Sequence, residues 1–131
     1  MNNKIKITVP YLPPSVNSYW KRTAYGGVRT SEKAKEFKQN VAYWVFWKYS
    51  IPKKPVYETE DLEVSLILNF KNKIKCDIDN YCKGVLDSLS GILWADDKQI
   101  TKLTIEKNIG TKQENNFILE VCERHRKNDN I

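Results

Sequence analysis

The sequence predicts an α+β fold: a small mixed sheet of about four strands with two main helices, in a single domain over residues 1–131. Three observations lead there. Short stretches alternate apolar and polar residues with a period of two, and longer ones repeat apolar residues at helical spacing. No Ser/Gly-rich linker, internal repeat or low-complexity block divides them. A chain of 131 residues is long enough to bury about two-thirds of its unfolded surface in one core.

The elements follow in order. Ile5, Ile7 and Val9 share one face of a strand that stops at Pro10, because proline cannot donate to a ladder. The segment YLPPSVNSYW is an irregular loop, stiffened by Pro13-Pro14. Its end mixes aromatic and basic groups, Tyr19, Trp20, Lys21 and Arg22, which either stack on bases and hold phosphates or pack beneath the loop. From Ser31 to about Tyr49, Ala34, Phe37, Val41, Trp44 and Val45 recur at helical spacing, with Thr30 or Ser31 as N-cap and Glu32 in the first turn. The last turns carry Tyr43, Trp44, Phe46, Trp47 and Tyr49, more aromatic surface than one stripe buries, which either packs into the core, the favoured fate, or in part meets a second subunit. Leu62, Val64, Leu66, Leu68 and Phe70 alternate cleanly and predict a strand. Ile78, Cys82, Val85, Leu86 and Leu89 form the stripe of a second helix that starts at Asp79-Asn80 and ends at Gly91. Ile100, Leu103 and Ile105, then Phe117, Leu119 and Val121, predict two antiparallel strands joined by GTKQENN, and the tail from about residue 124 is expected to fray.

Charge narrows the chemistry. Lys plus Arg number 22 against 16 Asp plus Glu, a net +6 that favours an acidic partner such as nucleic acid. The three cysteines, Cys76, Cys82 and Cys122, show no CxxC spacing, and neither a signal peptide nor a long apolar run accompanies them. The expectation is a soluble cytoplasmic protein with reduced thiols and no membrane partner. A single histidine, His125, excludes metal sites built on several histidines and disfavours a Ser-His-Asp triad. Catalysis, if present, rests on carboxylates and lysines.

Those carboxylates are unevenly spread. Asp77, Asp79, Asp96 and Asp97 bracket the second helix, with Lys83 between them and Lys71, Lys73 and Lys75 just before. Gathered carboxylates repel one another unless a cation neutralises them, so a hard divalent metal beside a phosphate backbone accounts for both charges. Asp79 and Asn80 are equally suited to capping the helix, and Lys83 to pairing with Asp79 or Asp87. Asp96 is a further ligand or a group that fixes its neighbour.

The stretch DIDNYCKGVLDSLSGILWADDKQI resembles the RusA family of Holliday-junction resolvases, whose signature runs D-x-D-N-x-x-K, a helix, then D-D-x-Q. PPSVNSYW is similar to that family's proline-rich opening. The resemblance implies a RusA-like fold and a dimeric, Mg²⁺-dependent endonuclease that cleaves four-way DNA junctions in recombination and repair, with Mn²⁺ able to substitute. By motif it makes Asp77, Asp79, Lys83 and Asp97 catalytic, with Asp77, Asp79, Asp97 and additionally Asp96 as metal ligands. Branched DNA then falls to Lys71, Lys73, Lys75, Lys21, Arg22, Asn17 and Asn80. The run KNKIKC is sparser than the consecutive arginines that family members can carry there. Two alternatives stay open: a catalytically silent protein that binds DNA structures, and a metal nuclease acting on forks, flaps or RNA.

Overall fold

The computed structural model describes residues 4–15, 20–22, 28–51 and 54–125, the side chains of 20–22 excepted. The chain runs β1 (Ile5–Val9), β2 (Trp20–Arg22), β3 (Val28–Thr30), α1 (Glu32–Tyr49), β4 (Leu62–Asn69), α2 (Cys82–Leu89), a 3₁₀ turn (Asp97–Gln99), β5 (Ile100–Asn108) and β6 (Asn116–Glu123). Four strands form one mixed sheet in the order β1-β6-β4-β5, as the alternating segments predict. β2 and β3 pair separately as a short antiparallel ribbon within what reads in sequence as loop.

Strand β4 is the centre. Leu62, Val64, Leu66 and Leu68 are buried while the residues between them are half-exposed, so one face of the sheet meets the core. Phe117, Leu119 and Val121 of β6 and Ile7 and Val9 of β1 join that face. Phe37, Val41 and Val45 of α1 cover it, together with Val85 and Leu89 of α2 and the Leu93-Trp94 pair that follows. The result is helices on one side of a sheet, each element burying its single apolar stripe.

Helix α1 begins as predicted, because the Ser31 Oγ accepts from the Ala34 N–H at 3.2 Å and satisfies one otherwise unpaired donor. Its aromatic end divides. The Trp44 indole N–H donates to the Thr8 carbonyl at 2.8 Å and the Tyr49 hydroxyl accepts from the Thr8 N–H at 2.8 Å, which ties α1 to β1. Tyr43, Phe46 and Trp47 remain exposed.

Two expectations are corrected. β5 and β6 do not pair as a hairpin: β4 lies between them, parallel to β5 and antiparallel to β6. The GTKQENN segment instead crosses the end of β4, where Thr111 N–H donates to Phe70 O at 3.1 Å and the Asn115 side chain accepts from Lys71 N–H at 2.8 Å. Periodicity reveals strands, not neighbours. The second helix starts one to two residues late, since residues 78–81 form a turn, Tyr81 occupies the N-cap without a side-chain bond, and Ile78 is exposed. Neither Asp79 nor Asn80 caps it. After β6, Arg124 N–H donates to Asp61 O at 2.7 Å and its guanidinium donates to Thr101 O at 2.8 Å. Residues 126–131 lie outside the described residues.

The ladder of β5 slips by one residue: Leu62 pairs with Ile100 but Glu63 with Lys102, leaving Thr101 without a counterpart. That slip lets Ile100, Leu103 and Ile105 share a side despite their mixed spacing. Among the described residues no helix is long and apolar enough to cross a membrane.

α2 ends at a residue that only glycine occupies cheaply. Gly91 has φ +89°, and a Cβ there would meet nothing within 4 Å. The cost of a side chain is therefore purely backbone strain. Gly91→Ala is expected to lose about 1 kcal/mol of stability, read as a lower urea midpoint with an unchanged m-value.

Candidate active site

The acidic residues lie on two connections flanking α2. After β4 the chain leaves the sheet through 71–77 without joining a strand or helix. It then turns at 78–81, where Asn80 N–H donates to Asp77 O at 3.1 Å and Cys82 N–H to Asp79 O at 3.3 Å. Tyr81 fixes that turn by setting its ring edge-on to Phe70, centroids 5.1 Å apart. Burial pushes the Tyr81 phenol above its ordinary pKa, and the nearby Cys76 adds to the rise. Asp77 and Asp79 are thereby held out to solvent, and among the described residues neither carboxylate has a hydrogen-bond or ion-pair partner.

The second connection is tightly bound. Gln99 is buried, and its side-chain oxygen accepts from Ala95 N–H at 2.9 Å and Asp96 N–H at 3.0 Å. Its amide donates to Tyr57 O at 3.3 Å and Glu60 O at 3.1 Å. One side chain thus clasps the turn to the segment before β4. Asp96 closes a capping box by accepting from Lys98 N–H at 2.8 Å. The fully buried Trp94 donates its indole N–H to Asp97 Oδ1 at 2.6 Å, which orients that carboxylate and leaves its second oxygen available. Nothing in the spacing marked Gln99 or Trp94 for these tasks. The signal lay in the D-D-x-Q pattern itself, whose glutamine has no chemistry to perform.

The connections approach one another at the start of α2. Burial raises the Cys82 thiol pKa, and Asp79 and then Asp97 raise it further, so carboxylates from both sides act on one thiol. The approach is partial. Among the described residues no three His, Cys, Asp or Glu side chains lie together as a metal-binding group. A capping turn and a tryptophan hold one pair while an open turn holds the other.

The lysines differ in availability. Lys83 Nζ sits 3.0 Å from Asp87 Oδ1, an exposed i,i+4 pair of a kind worth about 0.3–0.5 kcal/mol. Lys71 is paired with Glu114 at 2.9 Å. Lys73 is exposed and lays its stem against Gly110, where a Cβ would lie 3.1 Å from Lys73 Cγ. Lys75 lines a cleft of about 510 Å³ with Asp77, Asn80, Cys76 and Lys107. Lys107 was absent from the candidates because it reads as a polar position within a strand. Its ammonium donates to Cys76 O at 2.6 Å. Asn17 and the side chains of Lys21 and Arg22 lie outside the described residues.

Comparison with known proteins places this arrangement. Residues 10–119 match the family described as endodeoxyribonuclease RusA, and the chain belongs to that family of DNA-cleaving hydrolases. It is similar to the crossover junction endodeoxyribonuclease rusA of Enterobacteria phage HK97, with 27% identity over 108 residues, 82% of this chain and 85% of that protein.

The shared thiol gives a direct measure of the approach. With its pKa raised, Cys82 holds less thiolate at a given pH than an ordinary cysteine, so it should alkylate slowly near pH 8. Asp79→Asn and Asp97→Asn are each expected to lower that pKa and quicken alkylation, followed by peptide mass spectrometry to separate Cys82 from Cys76 and Cys122. No change in either variant would place both carboxylates away from the helix start.

Proposed function

We propose that this protein is a homodimeric, Mg²⁺-dependent resolvase that cuts four-way DNA junctions by paired nicking, with Mn²⁺ able to replace Mg²⁺. The observation carrying the proposal is the pair of Asp77 and Asp79 carboxylates, unpartnered among the described residues, beside a lysine-lined cleft in a chain of the RusA endodeoxyribonuclease family.

Donor chemistry supports the metal. Mg²⁺ takes hard oxygen ligands, keeps several waters, and is commonly held by one or two carboxylates plus substrate phosphate, so a complete protein cage is unnecessary. Asp77, Asp79 and the open oxygen of Asp97 are the ligands we assign, with Asp96 acting chiefly by capping the turn that carries Asp97. When bound, the ion supplies charge neutralisation at the scissile phosphate and acidification of the attacking water. Lys83 is held only by a weak surface pair, so its ammonium can exchange Asp87 for the phosphate and offset charge developing there. Lys75 and Asn80 border the same opening and take the flanking backbone together with the exposed Lys73, while Lys71 must first leave Glu114.

Paired nicking calls for two sites related by the junction's pseudo-twofold axis, which a twofold homodimer provides. The surface that supports self-association is the end of α1. A groove of about 450 Å³ lined by Gln39, Ala42, Phe46, Ile51 and Ile92 runs beside the exposed Tyr43 and Trp47, 69% and 74% accessible. Among the described residues no charged side chain lines it. In a chain of net +6 an uncharged patch is where a second copy approaches with least repulsion, and a protrusion beside a groove is the self-complementary form a twofold contact needs.

Asp77→Asn and Asp97→Asn are expected to abolish nicking of a synthetic four-way junction while leaving binding intact or stronger, because a repulsive charge near phosphate is removed. Full Mg²⁺-supported cleavage by Asp97→Asn would sink its role as a ligand. Lys83→Ala should lose turnover with a modest change in affinity. Labelled junction, fork, flap and duplex substrates, with and without EDTA, test the substrate; tight EDTA-resistant junction binding without any cutting would leave a silent binder. Trp47→Asp is expected to sediment as a monomer at concentrations where the parent protein is a dimer.

A further inference from the structure

Lys107 lies on β5 opposite Leu68, on the same side of the strand as Leu103 and Ile105. That side faces the helices, so a lysine there has to find an acceptor or turn outward. It finds the carbonyl of Cys76 at 2.6 Å, one residue before Asp77. The ammonium is half-buried, and a charge-assisted bond of this length is roughly twice as strong as a neutral one.

Its importance comes from what surrounds it. Residues 73–77 belong to no strand or helix. Among the described residues their hydrogen bonds are few: Gly110 N–H to Asn72 O at 3.2 Å just before, Asn80 N–H to Asp77 O at 3.1 Å just after, and the Lys107 bond between, while the half-buried Ile74 and Cys76 side chains rest against the core. The first two do not orient the peptide that leads into Asp77. The third anchors it to the sheet. The Asp77 carboxylate has no hydrogen-bond or ion-pair partner among the described residues, so its direction is set by the backbone that precedes it.

We propose that Lys107 is a positioning residue for metal binding: by holding the Cys76 carbonyl it orders residues 73–77 and keeps the Asp77 carboxylate turned into the cleft. The inference rests on the reading of Asp77 as a ligand. Lys107 itself is engaged with the backbone and does not contact the cation.

Amide hydrogen exchange on the full-length protein without metal or DNA tests the ordering alone. Lys107→Met should raise exchange in peptides covering 71–81 at least threefold while β4 and β6 stay unchanged, and Lys107→Arg, which keeps a cationic donor, should restore most of the protection. Mn²⁺ titration followed by electron paramagnetic resonance should then show several-fold weaker binding by Lys107→Met, with Asp77→Asn as the weaker limit. Junction affinity in EDTA should remain within twofold of the parent. Unchanged exchange in 71–81 overturns the proposal, as does parental Mn²⁺ affinity. Loss of junction affinity in EDTA with normal exchange would make Lys107 a phosphate contact and also overturn it. If the parent protein itself cuts no junction, the functional reading fails, a result distinct from these.

Discussion

The structure depends on one strand pairing on both sides. β4 bonds antiparallel to β6 and parallel to β5, and its alternating burial decides which side of every neighbour meets the core. A parallel partner cannot be reached by a tight turn, so the chain must travel out and back between β4 and β5. That excursion is α2 with its two flanking connections, and all four acidic residues ride on it. The site therefore exists because of a topological requirement, and its carboxylates lie where the chain is freed from the ladder.

The two connections meet that freedom differently. The returning one is closed by Gln99, whose four bonds leave none of its polar capacity idle, and by Trp94, whose buried ring fixes a carboxylate oxygen. Buried polar groups that are fully satisfied define one conformation and make alternatives costly. The outgoing connection has an aromatic contact at its end and few backbone ties along its length. Rigidity on one side and openness on the other suit a site that must admit a bulky polyanion yet present one carboxylate in a fixed direction.

Much of this was legible in the residues. Period-two stretches located β1, β4, β5 and β6, and the Thr30-Ser31 capping pair placed the start of α1 to within a residue, because those signals are local. The pairing of β5 with β4 was not legible, since alternation encodes a face and carries no address. The start of α2 was misplaced because Asp79 and Asn80 are good capping residues in general, while here Tyr81 packs on Phe70 and holds the preceding residues in a turn. The acidic candidates came from the signature, but their degree of assembly depends on Trp94 and Gln99, whose bonds to residues several positions away have no periodic trace. Lys107 was hidden for a related reason. Its meaning depends on which side of β5 it occupies.

That side is decided by Thr101. Run in strict alternation from Ile100, β5 would turn Lys102, Thr104 and Glu106 toward the helices and Leu103, Ile105 and Lys107 toward solvent. The unpaired residue reverses the assignment from Lys102 onward, and the bond from Arg124 to the Thr101 carbonyl secures it. A backbone irregularity near one end of the strand therefore sets the sign of the charge at the other, placing an ammonium instead of a carboxylate beside the acidic connection. Register here is an electrostatic instruction, transmitted along an edge strand from Thr101 to Asn108.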